Sequence, residues 1–328
     1  MSESKLPGEF ALIERYFKPL ASAMPAALGL GDDAAILDPP AGFSLVATCD
    51  AIIAGVHFLA EDPPDRIARK LLRVNLSDLA AKGARPLGYL MTAALNETID
   101  EGWLSSFVAG LGADQAEFGI GLLGGDTVRT SGPVALSLTA LGTVPREKAL
   151  LRSGAKAEDT IYVSGTIGDS ALGLAVLTGR LTGLEEAELR YLTDRYHLPQ
   201  PRLRLGHALI GIGHGALDVS DGLVADLGHL AESSRLGAAI EVSKTPLSPA
   251  ARRALDLKLT DYAALVTGGD DYEILFTAPN LSKQRIEDLA GELGIAVTPI
   301  GRMTREPGVT VSEAGRQMIL PRRGFTHF

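Results

Sequence analysis

The chain has 328 residues, 46% of them hydrophobic and 22% charged, which is enough apolar material for two packed cores and excludes a disordered or fibrous protein. Forty acidic against 31 basic side chains leave a formal charge of -9 and a pI near 5.2, which argues against nucleic acid or anionic lipid as partner and means that a polyanionic ligand needs metal bridges. Cys49 has no second cysteine to pair with, the start lacks a secretory pattern and no apolar run approaches ~18 residues, so the expectation is a cytoplasmic protein with no membrane attachment.

Helical spacing covers residues 9–17 through Phe10, Ile13 and Phe17, and strand-like runs follow at 34–37 and 44–49. Pro63-Pro64 opens a long helix that runs to Lys82 and stops at Gly83, where first-turn proline and terminal glycine belong. Strands are predicted at 87–94, 120–123 and 134–144, with a helix over 101–117. The charged stretch 145–159, interrupted by Pro145 and Gly154, divides the chain into domains 1–148 and 149–328. In the second half, strands are predicted at 161–163, 216–218, 238–242, 272–277 and 296–300, and helices at 169–177, 203–210, 221–234 and 282–293. The fold class is α/β (α+β), in two domains.

Aspartate recurs beside glycine or at the end of apolar runs: Gly31-Asp32-Asp33, Thr48-Cys49-Asp50, Gly124-Gly125-Asp126, Asp218-Val219-Ser220-Asp221-Gly222 and Gly268-Gly269-Asp270-Asp271. A single Gly-Asp pair is ordinary turn chemistry, because Asp bonds its own backbone and Gly accepts positive φ. Five of them read as strands that each deliver a carboxylate to the rim of a sheet. Converging carboxylates repel, and cations must hold them together. Hard oxygen ligands suit Mg²⁺, which takes a few carboxylates together with nucleotide phosphates, so the pattern predicts a site for several Mg²⁺ ions and a phosphate ligand. Asp78 lies in the helical run Val74-Asn75-Leu76-Ser77-Asp78-Leu79-Ala80-Ala81, with Asn75 one turn earlier on the same face. An aspartate among apolar neighbours is costly to bury without a cation or donors, which makes it a further candidate ligand.

Other residues keep two readings. His57 in Gly55-Val56-His57-Phe58 is a packed histidine or a functional one, and Arg152 is a solvated charge or a bidentate phosphate contact. Ser220 is an N-cap or a phosphate donor, at a helix start whose N–H groups favour anions. The P-loop, the dinucleotide-binding turn, His-Glu-x-x-His and Gly-x-Ser-x-Gly are all absent.

The order Gly8-Glu9-Phe10, Gly31-Asp32-Asp33, Asp50 with Gly55-Val56-His57-Phe58, Asn75 to Ala81, Gly124-Gly125-Asp126-Thr127, Arg152-Ser153-Gly154-Ala155, Asp218 to Leu223 and Gly268 to Glu273 resembles the thiamine-monophosphate kinase family over nearly the whole chain. The closing Gly324-Phe325-Thr326-His327-Phe328 and Asp226-Leu227-Gly228-His229 add to the resemblance. That family shares a superfamily with aminoimidazole ribonucleotide synthetase, selenophosphate synthetase and hydrogenase maturation proteins.

The resemblance implies two domains of the aminoimidazole ribonucleotide synthetase type, with N-terminal sheets pairing across a homodimer. It implies direct in-line transfer of the γ-phosphoryl group of ATP to thiamine monophosphate. Asp33, Thr48, Cys49, Asp50, Asp78, Asp126, Asp218 and Asp221 match metal ligands, and Gly125, Asp126, Arg152 and Ser220 match ATP contacts. His57, Asp270 and Phe325 match substrate contacts, and Asp50, Asp126 and Arg152 are the expected catalytic residues. Cys49 stands where the family usually has Thr, and Asp270 where it usually has Glu. A synthetase of the same superfamily, or a nucleotide- or Mg²⁺-binding module without catalysis, remains the alternative.

Overall fold

The computed structural model describes residues 6–320 and 324–325, so Thr326, His327 and Phe328 of the closing motif lie outside the described residues. The chain forms two compact units, one of residues 1–79 with 85–147 and the other of 80–84 with 148–328. No helix among the described residues is long and apolar enough to cross a membrane.

In chain order the first unit comprises α1 (Glu9–Leu12), β1 (Phe43–Ile53), α2 (Pro64–Ala81), β2 (Arg85–Leu95), α3 (Glu101–Phe118), β3 (Leu122–Arg129) and β4 (Ala135–Pro145). Its sheet has the order β1-β4-β2-β3, with β2 and β3 parallel and the other pairs antiparallel. The hydrophobic period decides which surfaces are covered. Along β4, Leu136, Leu138 and Ala140 are buried and alternate with partly exposed residues, and Tyr89, Met91 and Ala93 do the same on β2. Ile67, Ala68, Leu71, Leu72, Leu76 and Leu79 supply the apolar stripe of α2, at the 3.6-residue spacing that buries one side of a helix. The other face of the sheet exposes Leu45, Leu90 and Val128.

An ion cluster joins α2 to α3. Asp114 is fully buried and accepts from Arg69 Nε at 2.7 Å and Arg73 Nε at 2.6 Å, and Arg73 also reaches Glu117 at 2.8 Å. Arg73 is itself 1% exposed, so each charge is satisfied by the other rather than by water.

Three expectations for this unit need correction. Residues 34–37 form no strand; they belong to an irregular segment tied back by Ile36 N–H to Ala26 O at 3.0 Å. The strand expected at 120–123 runs on through the Gly-Gly-Asp motif, because Gly125 lacks the Cβ that would collide with Met91 O of β2. Asp50 likewise sits inside an 11-residue strand rather than at its end.

The second unit comprises β5 (Thr160–Ser164), α4 (Asp169–Leu177), α5 (Glu186–His197), α6 (Leu203–Ala208), β6 (Ala216–Asp218), α7 (Leu223–Ser233), β7 (Gly237–Glu241), α8 (Pro249–Asp256), α9 (Tyr262–Thr267), β8 (Ile274–Ala278), α10 (Lys283–Leu293), β9 (Val297–Thr304), β10 (Gly308–Glu313) and β11 (Arg316–Gln317). Seven strands order as β11-β10-β7-β9-β5-β8-β6, antiparallel except for β10 with β7. Alternation on β5 sends Ile161 and Val163 into a cluster with Leu223, Leu227 and Leu230 of α7, and Tyr162 into another with Leu205 of α6 and Ile286 of α10.

Tyr162 stacks on Phe276 with ring centroids 5.2 Å apart. Buried Glu273 is held by Arg202 Nε at 2.6 Å, Arg195 Nη2 at 3.0 Å and Ser164 Oγ at 2.6 Å. The β10–β11 turn is gripped by Glu241, whose carboxylate accepts from Ala314 N–H at 2.9 Å and Gly315 N–H at 3.1 Å. Those bonds, the one from Gly315 foremost, hold the Glu241 carboxyl down at about 2.

Candidate active site

The predicted residues gather into three groups. The first lies where β1 faces α2. Thr48 donates its hydroxyl to Asp78 Oδ2, and Asp50 N–H donates to Asn75 Oδ1 at 3.1 Å while Asn75 Nδ2 bonds Leu71 O at 3.0 Å. Asn75 and Asp78 are three residues apart, so both sit on the side of α2 turned to the strand. Burial, and then the negative charge of Asp78, push the Asp50 carboxyl up to about 6. The Asp50 and Asp78 carboxyl groups, with the Thr48 hydroxyl on Asp78, form an all-oxygen donor set with surplus negative charge. This set fits a hard divalent cation such as Mg²⁺.

Cys49 lies between Thr48 and Asp50, and alternation turns its side chain to the opposite face, where Sγ is 3.6 Å from Ser137 Oγ. Its thiol cannot join Thr48 and Asp50 on one ion, so any ligand from this residue is the backbone carbonyl. His57 follows β1, and its Nδ1 accepts from Ile53 N–H at 3.1 Å. That bond leaves Nε2 to carry the proton of the neutral ring, as a donor.

The second group lies at the other edge of the sheet. Asp33, Gly125 and Asp126 line a cavity of about 260 Å³ whose apolar walls include Ile13, Phe17, Leu30 and Leu122. In register, Asp50 pairs with Leu138, Leu138 with Met91, and Met91 with Gly125. Three strand spacings separate the two groups, about 14 Å. The five aspartate motifs therefore do not meet at one point of the first unit, because two of them occupy opposite edges of one sheet.

The third group is in the second unit. Asp218 ends β6 and is 4% exposed; Ser220, Asp221 and Gly222 form the turn into α7. Gly222 has a φ of 122°, and a Cβ there would press on Thr267 and Gly268. The N–H groups of Ser220, Asp221 and Gly222 all donate to Asp226 Oδ2, so these three are already bonded within the chain. The expectation that they greet a phosphate is corrected, and the Ser220 hydroxyl remains the candidate donor.

Asp226 is pushed up to about 7, chiefly by burial and then by Asp221. Asp221, Asp226 and His229 each offer a ligand atom within 4.8 Å of one another.

Asp270 N–H donates to Ser220 O at 2.8 Å, and Phe325 N–H to Asp221 O at 2.9 Å, so both stand beside the 218–222 turn. Asp270 has a φ of 70°, a region that Asp enters more readily than Glu. Asp therefore holds this conformation with less backbone strain than Glu would, on a side chain one methylene shorter. Burial drives the neighbouring Asp271 carboxyl well up, although Gly168 N–H bonds it at 2.7 Å.

Arg152 does not join this group. Its carbonyl accepts from Ser234 Oγ at 2.8 Å, just past the C-terminal end of α7, whereas Ser220 and Asp221 precede the N-terminal end. The 11 residues of that helix span about 16 Å. Asp226 had a visible signal, an acidic residue within the apolar run Leu223-Val224-Ala225-Asp226-Leu227. Its role is clear only from the folded turn.

Comparison with known proteins supplies the family. Residues 31–144 match the model for AIR synthase related protein, N-terminal domain, and 156–313 match the model for its C-terminal domain. The chain is 43% identical to the thiamine-monophosphate kinase of Caulobacter vibrioides over 98% of its own length and 91% of that protein's. The crystal structure of thiamine-monophosphate kinase from Stenotrophomonas maltophilia is 40% identical and superposes with a TM-score of 0.84 over 95% of this chain and 98% of that one. A solved structure of AaThiL complexed with AMPPCP and TMP is 29% identical, with a TM-score of 0.78 over 100% of both chains. With two AIR synthase related domains and this identity along its whole length, the chain belongs to the thiamine-monophosphate kinase family.

Proposed function

We infer that the protein transfers the γ-phosphoryl group of ATP to thiamine monophosphate, giving thiamine diphosphate and ADP, the last step in making that cofactor. The carrying observation is the cluster of Thr48, Asp50 and Asp78, with Asp50 raised to about 6 by burial and a neighbouring negative charge. A fold that keeps such a cluster is built to hold cations, and the solved relative complexed with AMPPCP and TMP supports the pairing of nucleotide and substrate.

The attacking group needs no base from the protein, since a phosphate monoester with a second pKa of about 6 is largely dianionic at neutral pH. What remains is charge, because two polyanions must approach in line and catalysis of such transfers is chiefly positioning and neutralisation. Mg²⁺, when bound, supplies that neutralisation on the phosphoryl oxygens. Asp33, Thr48, the carbonyl of Cys49, Asp50, Asp78, Asp126, Asp218 and Asp221 would hold several such ions.

Gly125, Asp126, Arg152 and Ser220 bind the nucleotide in this reading. The Nε2–H of His57 donates to the substrate, Asp270 positions it, and Phe325 offers a face to the thiazolium cation. Transfer is direct, with no phosphoenzyme.

The separation of Asp50 from Asp126 supports a homodimer. If the β1 edge of one copy lies along the β3 edge of the other, two four-stranded sheets close and the two acidic groups come together. The open face bearing Leu45, Leu90 and Val128 then becomes the shared core. The reaction belongs in the cytoplasm, where exposed Cys49 stays a thiol.

Incubation with ATP, Mg²⁺ and thiamine monophosphate tests the reading. It expects thiamine diphosphate and ADP in equal amounts, abolished by excess chelator. Chelator-insensitive turnover, a ³²P-labelled protein trapped during turnover, or no product from a folded protein would overturn it.

A further inference from the structure

The stretch Asp226-Leu227-Gly228-His229 has no part in the chemistry above, yet its first residue organises the turn before α7. Asp226 is 3% exposed, and its Oδ2 accepts three consecutive backbone N–H groups, from Ser220 at 3.0 Å, Asp221 at 3.0 Å and Gly222 at 3.1 Å. Its own N–H bonds Gly222 O at 3.0 Å, closing the ring from the helix side. Successive N–H groups curled round one anion form the kind of concavity that elsewhere binds phosphate. Here the anion comes from within the chain.

With these N–H groups turned inward, the carbonyls of Val219, Ser220 and Asp221 point away from Asp226, and each accepts from another segment of the site. Val219 O accepts from Tyr272 N–H at 2.8 Å, Ser220 O from Asp270 N–H at 2.8 Å, and Asp221 O from Phe325 N–H at 2.9 Å. Gly222 at a φ of 122° permits this path.

The geometry points to Asp226 as a positioning residue, a single carboxylate that sets residues 220–222 and through their carbonyls fixes the segments carrying Asp270 and Phe325. This rests on the kinase reading for the roles of those segments, but the hydrogen bonds stand without it. Asp226 touches neither substrate nor phosphate; it couples the metal-binding turn to the thiamine side of the site.

The test uses the full-length chain with Asp226→Asn and Asp226→Glu. An Asn oxygen lacks the carboxylate charge and so holds the three donors more weakly, and its amide adds a donor where donors already crowd. Amide hydrogen exchange without ligands should show residues 220–222, 270 and 325 exchanging at least ~10-fold faster in Asp226→Asn, with β8 protection unchanged. In turnover, the Mg²⁺ concentration for half-maximal rate and the KM for thiamine monophosphate should both rise at least ~5-fold, with Asp226→Glu intermediate. If Asp226→Asn does not fold, Asp226→Glu is read by the same two measurements.

Unchanged exchange at 220–222 overturns the proposal. So does a loss of melting temperature or active fraction with both constants unmoved, since that marks a purely structural carboxylate. Absence of kinase activity in the wild type would instead remove the functional reading and leave the exchange result to decide the role of Asp226.

Discussion

Replacing Asp50 by Asn should make the ligand-free protein more stable while destroying its activity. The Asp50 carboxyl rises from 3.8 to about 6, through burial first and the charge of Asp78 second. At 1.36 kcal/mol per pKa unit, ionised Asp50 costs the folded state about 3 kcal/mol above that pH. The sign follows from proton counting: between about pH 4 and 6 the native protein binds more protons than the unfolded chain, so stability falls as pH rises through this window and then levels off.

Asn keeps the shape and removes the charge, so Asp50→Asn should gain about 1–3 kcal/mol at neutral pH in chelator, roughly 1.5–4.5 °C in melting temperature. It should also lose the decline between about pH 4 and 6, lose most of the Mg²⁺-induced rise in melting temperature, and lower kcat at least ~100-fold, the scale of one strong electrostatic stabiliser. Thermal unfolding at several pH values, with chelator and then with Mg²⁺, measures all but the last, and a coupled ADP assay gives the rate. A variant that melts below wild type in chelator at neutral pH, or that loses less than about tenfold in kcat, would refute the reasoning.

Four further outcomes follow from the same coordinates. Cys49→Ala should keep kcat within about twofold, because the thiol faces away from Thr48 and Asp50; a tenfold loss in the ADP assay would show that sulfur takes part. Phe325→Ala should raise the KM for thiamine monophosphate about 3- to 30-fold, the range of a cation–π contact, and leave the KM for ATP unchanged; equal effects would make Phe325 a mere anchor. Asp114→Ala leaves the 1%-exposed Arg73 without its main partner and should cost about 3–5 kcal/mol by denaturant titration; a loss under ~1 kcal/mol would mean that Glu117 suffices. If the proposed dimer forms through the open face of the first sheet, Leu45→Glu combined with Leu90→Glu should halve the mass seen by light scattering and abolish turnover; an unchanged mass would refute that contact.

The sequence carried the long periodic elements well, because a helix such as α2 or α3 advertises itself through its buried stripe and its ends. It also pointed to side chains that the fold brings together, since Thr48 and Asp78 are hydrogen-bonded and Asp50 feels the charge of Asp78. What it could not carry was placement. Gly124-Gly125-Asp126 looked like a strand end because glycine is poor strand material, and only the close approach of Met91 O explains its place inside β3. The helices α5, α8 and α9 and the strands β10 and β11 are missing from the sequence reading, α5 because it is strongly polar and β11 because it has only two residues.

Cys49 and Asp50 are neighbours in sequence and opposites in space, which the two-residue period of a strand implies once the strand is known to run through them. Asp226 needed the folded turn, because three amides meeting one oxygen leave no mark in the order of residues.

The grip of Glu241 on the β10–β11 turn has a consequence for acid exposure. With its carboxyl at about 2, its contribution is complete above the ordinary glutamate range and disappears only as pH falls through about 2. Asp50 and Asp226 take up protons near 6 and 7, well before this clasp lets go. Mild acidification of the metal-free protein should therefore protonate both groups while the β10–β11 turn stays fastened, and turnover measured after neutralisation and addition of Mg²⁺ should return without a refolding lag.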